Sequence, residues 1–260
     1  MFIHKKELLV PVTVDAPNPK FGQYLLEQFG GATGELTACL QYFVQSFHVQ
    51  DAGLKDMLLD IATEEIGHLE MVGKLVELHT SGEAKIKAEE SPLFALRGKG
   101  PHYLDSCGNA WSASYINEGG DVVRDLRANL AAEAGARQTY EALILNAPDD
   151  GSKKALVHLL TREIAHTAMF MQALNQLGKL NDPFFGEIAP DDTVKIYYNM
   201  SSNGADQRGP WNTEPNFKYV ADPLSHDRGT QHPGVERPDL AEVSKVEDSQ
   251  SMHTVVSGRR

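Results

Sequence analysis

Cysteine is scarce in this chain: Cys39 and Cys107 are the only two among 260 residues. They leave room for one bridge at most, which excludes a disulfide-stapled secreted scaffold and makes a reducing compartment the simpler reading. Long apolar runs are missing too, since no stretch reaches the ~18 consecutive apolar residues of a membrane span. The apolar run in the N-terminal MFIHKKELLVPVTVD is stopped by Pro11, too early for a signal peptide. A cytoplasmic location is therefore the expectation. Positive charge is also in deficit. The 24 Lys and Arg are outnumbered by 36 Asp and Glu, for a net charge of −12, and no basic patch stands out. Such a surface repels nucleic acid and anionic membranes, so neither is an expected partner. What is present, 41% hydrophobic and 23% charged residues, is ordinary for a folded globular chain and excludes a disordered or collagen-like one.

Hydrophobic periodicity predicts four helices. The first spans about Gly22–Val49, the second about Gly53–His79, the third about Asp121–Leu145 and the fourth about Ser152–Leu177. Gly178 is a suitable stop for the last. Short links join helices one and two, and three and four, so each pair should be antiparallel. The connection from Ser81 to about Asn109 is long for a compact domain. A crossover of that length lets the third helix run parallel to the second. The expected fold class is all-α: a four-helix bundle over 1–180 with one long crossover at about 81–109.

Residues 181–260 differ in character. They hold seven of the thirteen prolines and show no sustained period, yet Ile196–Met200, Trp211 and Phe217–Val220 are too apolar for a simple disordered tail. This irregular C-terminal arm either packs on its own bundle or embraces a neighbouring subunit.

Acids and histidines recur in the helices with a fixed rhythm. Glu35 precedes Glu65 by 30 residues, and Glu133 precedes Glu163 by 30. Each second glutamate opens a Glu-x-x-His, ending at His68 and His166, and the whole unit repeats after 98 residues. Tyr42 and Tyr140 follow Glu35 and Glu133 by seven residues each. This is an internal duplication of a helix pair. Residues i and i+3 share a helix face, and these faces are otherwise apolar, so the six side chains converge on the bundle axis. Buried acids are normally paired or bound to metal. Without a matching number of Lys or Arg, four glutamates imply cations, and two divalent ions supply the neutralising charge. A Glu from each of two helices plus a Glu-x-x-His from each of the other two is the ligand set of ferritin-like di-iron and di-manganese proteins. Carboxylate and imidazole donors suit Mn or Fe better than Zn or Cu(I). Tyr42 reads as a hydroxyl donor that orients a metal ligand; Tyr140 is equally readable as that or as a core aromatic. Glu64, Glu70 and Glu141 read as solvated, and His48, His79, His102, His158, His226, His232 and His253 as surface or structural histidines.

With these motifs in view, the chain resembles the non-haem manganese catalases over about 21–211. The resemblance is carried by GGATGELTACLQYF around Glu35, EEIGHLEMV around His68, WSASYINEGGD before the third helix, NLAAEAGARQTYE around Glu133 and TREIAHTAMF around His166. YYNMS and RGPWN extend it into the arm. Ferritins and rubrerythrins share the metal motif but lack the Trp-Ser-x-x-Tyr and RGPWN stretches. The resemblance implies two manganese ions per subunit with five protein ligands: Glu35 and His68 on one, Glu133 and His166 on the other, and Glu65 bridging. Glu163 would stand back as an acid/base. The implied reaction is disproportionation of hydrogen peroxide to water and dioxygen. Some members place an Arg just before the third-helix Glu, lining the substrate channel; here that residue is Ala132.

Two further expectations concern assembly. Asp56 and Asp60 lie one turn apart, and Asn199, Ser201 and Asn203 alternate in the arm. Oxygen donors of this kind suit Ca²⁺, and the resemblance implies calcium between such a helix and the arm; the alternative is a solvated acidic turn. The resemblance also implies a homohexamer, in line with the closed symmetry usual for soluble oligomers. Two other functions fit the ligand set: a di-iron oxidase or peroxidase with Glu163 as a sixth ligand, and a metal-storage or structural shell protein of the same fold.

Overall fold

The computed structural model describes residues 3–184, 186–201 and 207–223. It divides into two compact units, Met1–Asn181 and Asp182–Arg260. Among the described residues the first holds six α-helices: α1 (Pro19–Gly30), α2 (Glu35–Gln45), α3 (Ala52–His79), α4 (Pro92–Arg97), α5 (Val122–Asn146) and α6 (Asp150–Gln176). Asx caps start most of them. Asn18, Asp51, Asp121 and Asp149 accept hydrogen bonds from the backbone N–H of Phe21, Leu54, Arg124 and Ser152, respectively. Gly178, at φ +67°, follows α6 in the left-handed conformation that glycine adopts most readily.

The first predicted helix is in fact two. The segment Gly31–Gly34 separates α1 from α2, because glycines there let backbone approach backbone. A Cβ on Gly31 would lie 2.2 Å from the carbonyl oxygen of Glu27, and one on Gly34 would lie 2.6 Å from that of Gln28. A Cβ on Gly30 would lie 2.6 Å from the carbonyl oxygen of Leu104, in the crossover. The break makes Glu35 the first residue of a new helix.

Two apolar clusters fill the bundle and show how its helices run. One joins Phe21 and Leu25 of α1, Leu75 and Val76 of α3, Tyr140 and Leu143 of α5, and Leu156 and Leu159 of α6. The other joins Ala38 and Tyr42 of α2, Leu58 and Ile61 of α3, Leu126 of α5, and Phe170 and Leu174 of α6. The late residues of α3 and α5 thus share one end and their early residues the other, so α3 and α5 are parallel, as the crossover predicts. Each fully buried Leu or Phe in these clusters contributes roughly 1.5–3 kcal/mol. The crossover runs from Thr80 to Asp121, past the expected end at Asn109, and carries α4. Its last part is irregular because its backbone is held by side chains: Gln41 Oε1 accepts from the Asn117 N–H at 2.8 Å, and Asp125 from the Gly119 N–H at 2.9 Å.

The second unit contains two short strands that its sequence does not announce, β1 (Ile196–Tyr198) and β2 (Lys218–Val220). They pair in parallel, with Tyr197 opposite Tyr219. Those two rings stack at 5.9 Å, and the Arg208 guanidinium lies 4.3 Å from the centre of the Tyr219 ring. Trp211 is 71% exposed.

Candidate metal centre

The two clusters leave a layer between them at mid-bundle. Into it project Glu35 from α2, Glu65 and His68 from α3, Glu133 from α5, and Glu163 and His166 from α6. Each is at most 1% exposed. They form two overlapping groups: Glu35, Glu65, His68 and Glu163, and then Glu65, Glu133, Glu163 and His166. Within each group, donor atoms lie within 4.8 Å of one another. Glu65 belongs to both and faces each histidine with a different oxygen. Its Oε2 is 2.6 Å from His68 Nδ1, and its Oε1 is 2.9 Å from His166 Nδ1. Glu163 Oε1 and Glu35 Oε2 lie 3.5 and 3.6 Å from His68 Nδ1, and Glu133 Oε1 lies 3.7 Å from His166 Nδ1.

Proximity here is not hydrogen bonding. Both oxygens of Glu65, both ring nitrogens of His68 and of His166, and one oxygen each of Glu133 and Glu163 are buried without a hydrogen-bond partner. Nearly all buried polar groups in folded proteins have one. Donor atoms that converge yet do not satisfy one another fit a metal centre. The charges agree. Burial raises the Glu35 and Glu133 carboxyls well above their usual range, and the charges of Glu163 and Glu65 add to it. Burial and Glu65 raise Glu163 as well. Burial also works to raise Glu65, but contacts from His166 and His68 prevail and hold it below the usual range. Four carboxylates this close ionise together only when cations neutralise them.

The tyrosines cross between the repeats. Tyr42 donates to Glu133 Oε1 at 2.6 Å, and Tyr140 donates to Glu35 Oε1. Each hydroxyl from one half therefore reaches the carboxylate of the other half, Tyr140 in the same way as Tyr42. Burial and the neighbouring carboxylates push both phenols well above their usual range, so both remain donors.

A cavity of about 200 Å³ opens on this layer. Tyr42, Glu133 and Glu163 form its inner wall, Tyr115 and Asn117 of the crossover another, and Ala132 with its neighbouring alanines a third. The model of the manganese-containing catalase family matches residues 1–255.

The chain belongs to the manganese-containing catalase family.

The crystal structure of wild-type KatB, a manganese catalase from Anabaena, is 68% identical, with a TM-score of 0.82, covering 86% of this chain and 100% of that one. A probable manganese catalase of Clostridium acetobutylicum is 37% identical over 222 residues, 84% of this chain and 98% of the relative. The manganese catalase of Bacillus subtilis is 33% identical over 199 residues, 70% of this chain and 73% of the relative. Catalase activity at a manganese centre is this chain's function; neither the di-iron oxidase nor the shell protein is favoured. No described helix is long and apolar enough to cross a membrane.

Within this catalase, sequence reasoning misread Glu64. It is not a solvated residue: Arg162 Nε donates to its Oε1 at 2.5 Å, and both metal-layer histidines face it. Sequence reasoning also missed a buried amide network. Gln41 and Gln45 both donate to Asn129 Oδ1 at 2.9 Å, and Gln45 also donates to the Asn117 carbonyl at 3.0 Å. It ties the crossover wall of the cavity to α2 and α5. Its signal was available, since Asn129 sits one turn before Glu133 on the buried face. His79 is a structural histidine, buried with Nε2 2.9 Å from Ser152 Oγ. Of the expected calcium donors, Asp56 and Asp60 are exposed on α3. In the second unit, Asn199 Oδ1 accepts from the Ser201 N–H at 3.0 Å. Asn203 lies outside the described residues.

Proposed function

We propose that the chain disproportionates hydrogen peroxide to water and dioxygen with Glu35 and His68 as terminal ligands of one manganese, Glu133 and His166 of the other, and Glu65 as the bridge. The observation that carries this assignment is the placing of the two Glu65 oxygens against the two Nδ1 atoms. A carboxylate divided in this way between two imidazoles is what a bridging ligand requires. When bound, two manganese ions supply the two-electron redox couple that reduces one peroxide and oxidises the next.

The chain's own residues do the rest. Peroxide enters through the cavity between Tyr115, Asn117 and Ala132. The apolar clusters above and below exclude bulk water from the layer. Tyr42 and Tyr140 hold Glu133 and Glu35 by their Oε1 atoms, leaving the other oxygens free to ligate. Glu163 moves protons. It lines the cavity, its Oε1 has no hydrogen-bond partner, and burial beside Glu65 lifts its carboxyl toward the range where a proton is both taken and returned. It takes a proton from one peroxide oxygen and delivers it to the oxygen that leaves as water.

Assembly completes the reading. A homohexamer in the cytoplasm is proposed, with calcium at the exposed acidic face of α3 that carries Asp56 and Asp60. Exposed Trp211 supports an arm that covers a neighbour, because apolar area left in water forfeits ~25 cal/mol per Å². The functional test is oxygen release from hydrogen peroxide by the purified chain loaded with manganese, without a haem absorption band. Glu163→Gln should keep two manganese ions and lose at least 100-fold in kcat. Activity restored by iron and not by manganese would overturn the assignment.

A further inference from the structure

Each metal-layer histidine has an outer nitrogen that the mechanism does not use. Nδ1 of His68 and of His166 points into the carboxylate layer, so Nε2 of each points away from it. The outward nitrogens converge on one side chain. Glu64 Oε2 is 3.2 Å from His166 Nε2, and Glu64 Oε1 is 3.6 Å from His68 Nε2. Among the described residues no other carboxylate lies within 4.0 Å of either Nε2. The two imidazoles stack at 5.6 Å with their planes 20° apart, which lets one carboxylate span both.

The duplication explains why there is only one. Glu64 precedes Glu65, and the residue that precedes Glu163, 98 positions later, is Arg162. The two repeat-related positions meet between α3 and α6, where identical residues would place like charges together. Here they form a pair, Arg162 Nε to Glu64 Oε1 at 2.5 Å and Arg162 Nη2 to Glu64 Oε2 at 3.3 Å. Side chains at the two positions are 26% and 33% exposed, against 0% for the histidines, so the pair closes the layer at its outer edge. The charge count also favours a pair. Four buried glutamates match two divalent ions; a fifth carboxylate alone would leave an excess negative charge, which Arg162 cancels.

We propose that Glu64 is a shared positioning residue: its carboxylate, aimed by Arg162, faces Nε2 of both His68 and His166 and accepts from the Nε2–H of each once the metals are held, which fixes the tautomer that presents both Nδ1 lone pairs to the metal layer. A ligating imidazole needs such an outer acceptor to set its tautomer and ring orientation, and loss of the acceptor typically costs about 10–100-fold in metal affinity. The proposal rests on the reading of His68 and His166 as ligands, and its test separates the two.

Manganese affinity is measured by chelator competition on the full chain for wild type, Glu64→Ala, Glu64→Gln and His68→Ala, and the melting temperature of each metal-free protein is recorded alongside. Glu64→Ala should lose about 10–100-fold in affinity with a metal-free melting temperature within a few degrees of wild type. Glu64→Gln, whose amide oxygen still accepts, should recover part of the loss. A merely structural ion pair would instead lower the metal-free melting temperature and leave affinity unchanged, and that result overturns the proposal. If His68→Ala loses metal while Glu64→Ala binds it as wild type does, only the role of Glu64 fails. If His68→Ala also keeps two tightly bound ions, the ligand reading fails and this proposal with it.

Discussion

Replacing Tyr140 by Phe removes one oxygen atom from the bundle and should weaken one half of the metal centre selectively. Tyr140 is fully buried, and its hydroxyl donates to Glu35 Oε1. The variant keeps the ring, so packing against Leu143 and Leu156 in the same cluster is preserved. What is lost is a hydrogen bond to an ionised acceptor, worth about 1.5–3 kcal/mol. The carboxylate left behind is 1% exposed, so water does not replace the donor. Since Glu35 must be ionised to ligate, most of that loss falls on the manganese-loaded form. At about 1.4 kcal/mol per factor of ten, the ion held by Glu35 and His68 should bind roughly 10–100-fold more weakly. Tyr42→Phe should do the same to the ion held by Glu133 and His166, because Tyr42 donates to Glu133 at 2.6 Å. Equilibrium dialysis against buffered manganese should show one tight and one weakened ion in each single variant and two weakened ions in the double. If Tyr140→Phe binds both ions as wild type does, the hydroxyl is only filling the core and the crossed arrangement has no bearing on the metals.

His79 is buried and burial lowers its pKa, against a smaller opposing pull from Asp149, while its Nδ1 has no partner. The unfolded chain therefore binds a proton near pH 6.5 that the folded one refuses, so stability should fall as pH drops below about 6.5. His79→Gln should flatten that slope in urea titrations at pH 5 to 7.5, and an unchanged slope refutes the assignment. Burial, with the charges of Glu65 and Glu35, pushes the Cys39 thiol up to about 12, whereas Cys107 is exposed. Iodoacetamide should label Cys107 alone in the native protein and both after denaturation; native labelling of Cys39 would show that the layer is open to solvent. Gly31→Ala should destabilise the bundle by about 1–3 kcal/mol through backbone overlap with Glu27, and a melting temperature equal to wild type would mean that the break between α1 and α2 relaxes freely.

The metal layer was legible in sequence because its side chains violate the apolar pattern of their own helices at two matched spacings. That signal is local, and geometry within one helix carries it. Features that depend on a second element were not legible. The break at Gly31–Gly34 is one, since the apolar stripe continues past it in sequence and the cause is the folded-back approach of that backbone to the Glu27 and Gln28 carbonyls, with Gly30 against Leu104 of the crossover. The crossing of Tyr42 and Tyr140 is another, because spacing places each tyrosine near its own glutamate and says nothing of the opposite half. Glu64 was misread for the same reason. Its position beside Glu65 turns it roughly 100° away from the ligand face, and only the side-chain length, the stacked histidines and Arg162 of α6 bring it back. In the arm, strands of three residues are too short to establish a period, so pairing of Ile196–Tyr198 with Lys218–Val220 left no trace.

In the proposed centre one carboxylate, Glu65, joins two metal sites completed by the inner nitrogens of His68 and His166. Anomalous diffraction from crystals of the manganese-loaded chain, recorded on both sides of the manganese absorption edge, tests it most directly. Two manganese peaks per chain are expected, one on each side of Glu65, each within bonding distance of one Glu65 oxygen and one histidine Nδ1. A single peak, two peaks that do not share Glu65, or density that responds at the iron edge instead would contradict it.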